Sequence, residues 1–395
     1  MTTEETIDLF DKYVIGNYSR LPRVIVKGRG CYLYDADGNE ILDMFPGWAV
    51  SAIGHCHPKV VEAIRKQAGE LLHIDNTLYS EPQGQLAKLL SERAFGGKCF
   101  FCNSGAEANE AAMKLARLHT AKEKKYKFIT FEGSFHGRTF ATMTATAQPK
   151  HHEGLLPLLP GFVYVPFNDV SALESAFSDE VAAVMVEPIQ GEGGINIATA
   201  GFLQAIRRLC DENGAIVIFD EVTTGIGRTG KWFGYQHFDV EPDIITMAKA
   251  LGGGVAIGAM MAKDEVAASL LPGKHASTFG GNALACAAAI AVIEAIEEDN
   301  LLENATKLGQ YTQDKLLQLK EKHRIIDSVR GVGLMIGVQL TGPGSEIVDK
   351  CLQKNLRINC TQGSVLRFMP PMIVTKGQID QAIDILDAVL NESAK

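Results

Sequence analysis

The middle of the chain alternates short apolar segments, which are typical of buried β-strands, with longer amphipathic segments that are typical of helices. The strand-like segments, in order, are KCFFCN, KFITF, VAAVMVEP, AIVIFDEV, DIITMAK and AIGAMMA. Helix-like sequences such as AEANEAAMKLARLHTAKEK and GFLQAIRRLCDENG lie among them. Because helices between strands favour parallel pairing, this order predicts an α/β fold with a mainly parallel sheet flanked by helices. Such sheets bind ligands beyond the carboxyl ends of their strands.

The two ends of the chain have a different pattern and predict smaller, mixed structures. Near the N-terminus, GRGCYLYDADGNEILDMF is typical of a β-hairpin with DADGN as its turn. After about residue 283, two long helical segments precede the strand-like SVRGVGLMIGVQL and SVLRFMPPMIV and a final helix. We therefore expect an N-terminal segment (1–60) that packs with the small domain, a large α/β domain (61–283) and a small C-terminal α+β domain (284–395).

The composition narrows the class of partner. The chain has a net charge of −9, and 46% of its 395 residues are hydrophobic. These values are ordinary for a soluble globular protein and argue against nucleic acid or an acidic membrane as a partner. The N-terminal MTTEETIDLFDKY is acidic and amphipathic, unlike a signal peptide, and no apolar run reaches the length of a membrane span. We expect a cytoplasmic protein whose anionic substrates require individually placed arginines.

Two short segments have metal-ligand spacing, but neither predicts a metal site. Cys99 and Cys102 form a CxxC inside an apolar, strand-like run, and no second CxxC exists. In GHCHP, His55 and His57 flank Cys56 with no further ligand evident, which favours buried or capping roles.

One lysine, Lys249, follows the apolar segment PDIITMA and precedes ALGGG. A strand that ends in this way places an amine at the edge of the sheet, and the glycines let the backbone turn away from it. Desolvation beside an apolar strand lowers the pKa of an amine and makes it a nucleophile. A solvated loop lysine is the alternative interpretation, so the question is whether other residues could use the amine.

Two further segments have the chemistry of a cofactor site. Asp220 ends the apolar strand AIVIFD, where a carboxylate needs a cationic partner or hydrogen bonds; a local cap is the alternative. NSGAEANEAAMK turns through Ser104 and Gly105 and begins a helix whose free amides favour phosphate; a plain N-cap by Ser104 is the alternative. The GxGxxG at Gly225–Gly230 is a weak dinucleotide signal, because Asp220 and Glu221 precede it and would repel a pyrophosphate.

The segments GSFHGRT, HASTFGGN and VLRFMPP add an aromatic pair, two hydroxyls and two arginines: Phe135, His136, Ser277, Thr278, Arg138 and Arg367. Each has an ordinary alternative, such as a core phenylalanine or a solvated arginine. Together, however, the segments contain the parts of a pyridoxal phosphate site. They supply an amine for the aldehyde, a carboxylate for the ring nitrogen, amides for the phosphate and arginines for substrate carboxylates.

These segments, in their order along nearly the whole chain, resemble the class III (ornithine-type) pyridoxal-phosphate aminotransferases of fold type I. The matching segments are NSGAEANEAAMKLAR, SFHGRT, VEPIQGEGG, DEVTTGIGRTG, AKALGGG, STFGGN and VRGVGLMIG. The resemblance implies the fold of that family, pyridoxal 5'-phosphate as cofactor, and a homodimer with shared active sites.

The resemblance also implies roles for individual residues. Lys249 would bind the cofactor aldehyde, and Asp220 would pair with the ring nitrogen. Arg367 would bind the α-carboxylate of glutamate, Glu192 would mask that arginine when the other amine is bound, and Arg138 would bind the distal carboxylate. The expected cofactor-binding residues are Ser104, Gly105, Ala106, Phe135, His136, Asp220, Val222, Thr223, Lys249 and Thr278 of the partner subunit. The expected substrate-binding residues are Tyr18, Arg20, Trp48, Arg138, Glu192, Ser277 and Arg367.

The sequence departs from the family pattern at a few positions. Thr223 stands where the family usually has glutamine, and alanine replaces the usual proline at Ala256 and Ala283. These changes leave the expected chemistry intact. Trp48 occupies a pocket position where a smaller aliphatic residue is common, which leaves the amine donor open.

The implied reaction is transfer of the δ-amino group of N2-acetylornithine to 2-oxoglutarate, in arginine biosynthesis. Ornithine, succinylornithine and succinyl-diaminopimelate are alternative donors, and a glutamate-semialdehyde aminomutase is an alternative reaction. VEPIQGEGG and VLRF favour transamination between two substrates, because a mutase has no separate α-amino acid to bind. A non-enzymatic binding protein is the third interpretation.

Overall fold

A computed structural model describes residues 1–393 and begins with a helix and a small sheet. The elements are α1 (Thr3–Tyr13), β1 (Ile25–Arg29), β2 (Tyr32–Asp35) and β3 (Glu40–Asp43). Strands β2 and β3 pair antiparallel, as the hairpin pattern predicts. The Asp35 carboxylate accepts hydrogen bonds from the amides of Asp37 (3.1 Å) and Asn39 (2.8 Å), and Gly38 has φ +84°. The turn therefore forms because an aspartate side chain caps it and a glycine occupies its left-handed position.

The central part of the chain alternates strands and helices. Its elements are α2 (Pro58–Glu70), α3 (Glu81–Arg93), β4 (Lys98–Cys102), α4 (Gly105–His119), β5 (Lys127–Phe131), α5 (Phe140–Ala145), β6 (Phe162–Val165), α6 (Val170–Ala176), β7 (Val181–Val186), β8 (Ile189–Gln190), β9 (Asn196–Ile197), α7 (Ala200–Asn213), β10 (Ile216–Asp220), β11 (Ile244–Met247), β12 (Gly258–Ala262) and α8 (Asp264–Ala267).

The central sheet has seven strands in the order β4–β12–β11–β10–β7–β5–β6. Its pairs are parallel except those of β12, which runs antiparallel to both β11 and β4. All residues of β7, β10 and β11 are buried, as expected for strands covered on both faces. The α/β fold with a mainly parallel sheet is therefore confirmed. Adjacent pairing of β10 and β11 places Asp220, the last residue of β10, and Lys249, shortly after β11, at the same edge of the sheet.

The C-terminal part forms a second sheet with helices. Its elements are α9 (Ala283–Glu298), α10 (Leu301–Lys322), β13 (Ile326–Val332), β14 (Met335–Leu340), α11 (Ser345–Gln353), β15 (Leu356–Arg357), β16 (Asn359–Thr361), β17 (Val365–Phe368) and α12 (Lys376–Ser393). The antiparallel sheet has the order β13–β14–β17–β16. Strand β15 pairs with β3, which joins the N-terminal segment to this region. The boundaries at residues 60 and 283 stay predictions, and α9, which follows the second, packs on α2 and α3.

Residues 221–233, which contain the GxGxxG sequence, form turns and bends and not the helix start that a dinucleotide site requires. Arg228 of this segment is fully buried and donates to the carbonyls of Met369 (3.3 Å) and Pro370. The segment therefore connects the end of β10 to the chain that follows β17. In the described part of the chain, no helix is long and apolar enough to cross a membrane.

Candidate active site

A cavity of 400 Å³ lies at the carboxyl ends of β4, β5, β10 and β11. This is where a mainly parallel sheet is expected to bind a ligand. The predicted residues that line it are Ser104, Gly105, Ala106, Phe135, His136, Arg138, Asp220, Val222, Thr223 and Lys249. The lining also includes Val50, Asn103 and Asn109, which the sequence did not single out. The cavity lining thus brings together motifs that are separated by more than a hundred residues in the chain.

Lys249 begins a short 3-10 turn after β11 and lines the cavity. Its backbone has φ +30°, a left-handed value that is strained for a residue with a side chain. The Nζ atom donates to the hydroxyl of Thr223 at 2.5 Å. Burial lowers the pKa of this amine, against the opposing charges of Glu192 and Asp220. A larger share of Lys249 is therefore neutral and nucleophilic at neutral pH than of an ordinary lysine.

Asp220, at the end of β10, is 3% exposed and lies in a hydrogen-bond network. Its Oδ2 accepts from His136 Nδ1 and from Asn109 Nδ2, both at 2.8 Å, and its Oδ1 accepts from the Val222 amide at 3.0 Å. The hydroxyl of Thr246 donates to Asn109 Oδ1 at 2.6 Å, which fixes the orientation of the amide. The hydrogen bonds that the sequence required for a buried carboxylate are therefore present, and they hold Asp220 in one position.

Asn109 and Thr246 were missed by the sequence analysis. Asn109 lies on the buried face of α4 and is 1% exposed, and Thr246 is buried in β11. A buried asparagine among alanines is the signal that could have found the first of them, because a buried amide needs partners.

The helix α4 begins at the cavity. Ser104 is its N-cap, and the Ser104 hydroxyl accepts from the Glu107 amide at 3.2 Å. The next residues, Gly105 and Ala106, line the cavity. A Cβ atom on Gly105 would lie 2.8 Å from a methyl carbon of Val222, so only glycine lets the helix start lie this close. The two alternatives for this segment are thus compatible: the serine caps the helix, and the following amides remain available to a phosphate.

The loop after β5 carries an aromatic ring and an arginine. Phe135 lines the cavity, and its amide donates to Glu187 Oε2 at 3.1 Å. The Arg138 guanidinium lies 5.3 Å from the centre of the Phe135 ring and is exposed. Within residues 1–393 it forms no ion pair. Arg138 is thus a cation at the cavity that remains available to a carboxylate.

Arg367, in β17, is 1% exposed and pairs with Glu192, with Nη1 2.7 Å from Oε1. Its guanidinium also lies over the ring of Phe45, 4.6 Å from the ring centre. Burial alone would raise the pKa of Glu192, but the charges of Arg367 and Lys249 outweigh it and lower that pKa. Glu192 is therefore ionised, and the pair lies close enough to Lys249 for their charges to interact.

Glu187 is a buried carboxylate that the sequence analysis missed. It accepts from the amides of Phe135 (3.1 Å) and Gly191 (3.0 Å). Burial raises the pKa of Glu187 to about 7, with a lowering contribution from His136 and a raising one from Asp220. Glu187 thus ties the loop that carries Phe135 to the segment that carries Glu192.

The remaining predicted residues do not line this cavity in the single chain. Tyr18 and Arg20 lie beside α1, around a separate cavity of 540 Å³. Trp48 is 52% exposed, and its ring lies 5.5 Å from the Arg367 guanidinium. Thr278 is exposed, whereas the Ser277 hydroxyl accepts from Asn103 Nδ2 at 3.2 Å. The roles of these residues stay predictions, and that of Thr278 requires a second copy of the chain.

The residue types around the cavity fit pyridoxal 5'-phosphate. Lys249 has a desolvated amine for the aldehyde, and Asp220 is held in place for a ring nitrogen. The start of α4, with Ser104, Gly105 and Ala106, lines the cavity, and the free amides of a helix start suit a phosphate. Val222 and Phe135 supply apolar surfaces for a flat ring.

The model of the family "Aminotransferase class-III" matches residues 13–390. A curated acetylornithine aminotransferase from Caldanaerobacter subterraneus is 53% identical over 96% of this chain and 98% of its own length. Another, from Methanocaldococcus jannaschii, is 51% identical over the full length of both chains. Among solved structures, ornithine aminotransferase from Toxoplasma gondii has a TM-score of 0.94 and 34% identity, covering 100% of this chain and 96% of its own. Acetylornithine aminotransferase from Elizabethkingia anophelis has a TM-score of 0.88 and 33% identity, covering 99% of this chain and 100% of its own.

Proposed function

Since the chain belongs to the class-III aminotransferases, we propose that it transfers the δ-amino group of N2-acetylornithine to 2-oxoglutarate, giving N-acetylglutamate 5-semialdehyde and glutamate. The protein is a pyridoxal-phosphate-dependent aminotransferase. The relatives that are 45–53% identical over nearly the full chain bear the name acetylornithine aminotransferase, which supports this donor and a role in arginine biosynthesis.

The observation that carries the proposal is the contrast between two arginines. Arg367 is buried and masked by Glu192, whereas Arg138 is exposed and has no ion-pair partner among residues 1–393. Acetylornithine and glutamate each have a carboxylate distal to the reacting amine, which would bind Arg138. Only glutamate has a carboxylate on the carbon that bears the amine, and that group would replace Glu192 on Arg367. One site thus serves two substrates with different charges.

When bound, the cofactor withdraws electrons from the substrate carbon that bears the amine and makes its proton removable. Lys249 would hold the cofactor aldehyde and then, as a free amine, move that proton with its Nζ. Asp220 would keep a positive charge on the ring nitrogen, and His136 and Asn109 hold its carboxylate for this task. Phe135 and Val222 would enclose the ring, and Thr223, which already contacts Lys249, would face its phenolic oxygen.

The proposal includes the assembly of two copies of the chain. A homodimer is supported by exposed apolar side chains on the segment 72–79, which contacts the loop that carries Thr278. Tyr79 and Phe279 are the most exposed aromatic examples there, and Asn76 donates to the Gly280 carbonyl at 2.9 Å. We place the protein in the cytoplasm, with small-molecule substrates and no nucleic-acid or membrane partner.

A panel of amine donors tests the proposed reaction. The holoenzyme is mixed with N2-acetylornithine, ornithine, succinylornithine or succinyl-diaminopimelate without a keto acid, and the change in cofactor absorbance is followed. We expect acetylornithine to have the highest kcat/KM and the amine to be recovered in glutamate once 2-oxoglutarate is added. A higher kcat/KM for another donor would reassign the substrate, and return of the amine to the donor's own carbon skeleton would indicate a mutase.

A further inference from the structure

Arg367 has a second side-chain partner besides Glu192. In the antiparallel pairing of β16 with β17, Asn359 lies directly opposite Arg367. Its Oδ1 accepts from Arg367 Nε at 2.8 Å and from Nη2 at 2.6 Å. Directly opposed residues in a sheet have Cβ atoms about 5 Å apart, which suits a side chain as short as asparagine. One amide oxygen thus fixes the Nε–Nη2 edge of the guanidinium, next to the Nη1–Nη2 edge that Glu192 contacts.

The other fixed contacts of Arg367 are also uncharged. Nη1 donates to the Gly191 carbonyl at 3.1 Å, and the ring of Phe45 lies 4.6 Å from the guanidinium. Within residues 1–393, Glu192 is the one carboxylate that forms an ion pair with Arg367. The positive charge of this buried group is therefore balanced by a single side chain.

The backbone and the side chain of Glu192 are held by different contacts. Its carbonyl accepts from the Thr361 hydroxyl at 2.7 Å and from Gln362 Nε2 at 2.8 Å, so its backbone is tied to the β16–β17 turn. Its carboxylate, in the described part of the chain, is hydrogen-bonded by Arg367 alone. The carboxylate can therefore leave by side-chain rotation while the backbone and the guanidinium stay in place.

We propose that Asn359 is a specificity-determining residue, because its neutral amide holds the Arg367 guanidinium in position without neutralising it. This inference rests on the proposed function, in which glutamate and an amine without an adjacent carboxylate alternate in one site. When Glu192 moves away, Asn359 keeps the guanidinium aimed at the site, and the incoming α-carboxylate becomes its counter-charge. A carboxylate at position 359 would satisfy the same two N–H groups but leave no charge for the substrate. A small apolar residue would let the flexible arginine follow Glu192.

Two variants separate these effects. For Asn359→Asp we expect kcat/KM of the glutamate half-reaction to fall by about 30-fold or more, because a desolvated charge pair with substrate is lost. For Asn359→Ala we expect a smaller loss, about tenfold and mainly in KM, from the two missing hydrogen bonds. The acetylornithine half-reaction should change by less than about threefold in both, because this donor has no α-carboxylate beside the reacting amine.

Asn304→Ala is the matched control. The Asn304 amide also holds the C-terminal region, donating to the carbonyls of Met372 (2.6 Å) and Val374 (3.1 Å), but it does not contact Arg367. Loss of the Asn304 amide should change kcat/KM of both half-reactions by the same factor. If Asn359→Asp proves unstable in thermal unfolding, Asn359→Ala alone tests the inference, through the ratio of kcat/KM between the two half-reactions.

An unchanged ratio in the Asn359 variants, while wild type reacts with both substrates, would overturn this inference and leave the proposed function intact. A wild-type enzyme that fails to react with one of the two substrates would instead overturn the proposed function, and this inference with it.

Discussion

At the scale of single residues, the site depends on two neighbouring groups with opposite environments. The Lys249 amine donates to the hydroxyl of Thr223, and in residues 1–393 no carboxylate forms an ion pair with it. Burial therefore lowers the pKa of this amine. Asp220 is buried and receives three hydrogen bonds, from His136, Asn109 and the Val222 amide. Burial thus favours the neutral form of the Lys249 amine, while three hydrogen bonds fix the position of the Asp220 side chain.

The role of Lys249 can be tested by chemical labelling. Borohydride reduction of the wild-type holoenzyme should fix the mass of the cofactor on the peptide that contains Lys249. Lys249→Ala should fold and lose at least about 10²-fold in rate, the lower range for removal of a proton-transfer group. Lys263→Ala is the control, because Lys263 pairs with Glu241 and Asp243 away from the cavity and should keep both the label and the activity. A label on another lysine would refute the assignment.

At the scale of elements, the start of α4 matters most, because a helix terminus and a loop meet there at close range. Ser104 caps the helix, and Gly105 is the contact point with Val222. A Cβ at position 105 would lie 2.8 Å and 2.9 Å from the two methyl carbons of Val222, and both segments also line the cavity. The position thus requires glycine because of tertiary packing and not because of backbone conformation.

Gly105→Ala should therefore weaken cofactor binding. Overpacking of this kind costs about 1–3 kcal/mol, and moving either segment to relieve it distorts the cavity wall, so we expect affinity to fall by about tenfold or more. The measurement is a titration of the apoprotein with pyridoxal phosphate, followed by protein fluorescence. Gly84→Ala, inside α3 with nothing within 4 Å of its new Cβ, is the control and should bind normally. Equal affinities in the two variants would contradict this account.

At the scale of the whole molecule, the single chain leaves part of the expected site outside the cavity. Helix α1 buries none of its residues, and Tyr18 next to it is 70% exposed. The loop with Thr278 is held from within by Asn76 and Asn103, yet its tip is exposed. A loop that is fixed at its base and open at its tip suits insertion into a second copy.

The shared site can be tested by mixing an inactive variant with a weakened one. Lys249→Ala destroys its own site, and Thr278→Ala should weaken the partner's site by about tenfold, the value of one lost hydrogen bond to a charged phosphate. In a mixed dimer, the site with an intact lysine receives its threonine from the Lys249→Ala subunit. Mixing should therefore raise the activity per intact lysine above that of Thr278→Ala alone. No gain, in dimers verified by sedimentation, would place Thr278 in its own subunit's site or outside both.

Much of this architecture could be predicted from local sequence. The strands, the cap at Ser104 and the hairpin turn at Asp35–Asn39 follow from residues that are close neighbours in the chain. Asn109, Thr246 and Glu187 could not be predicted in this way, because a buried polar side chain reveals its task only through its partners. Those partners lie in other elements, such as Asp220, 111 residues from Asn109.

The sequence by itself determined the order of the elements, since periodicity and turn chemistry act over a few residues. The family and the residue types of the site followed from the resemblance of its ordered motifs to a known family. Only the tertiary structure decided which of those residues meet. Pairing of β10 with β11 brings Asp220 and Lys249 to one edge, and pairing of β16 with β17 sets Asn359 against Arg367. These pairings depend on the packing of the whole sheet, because a shift by one residue would turn each side chain to the opposite face.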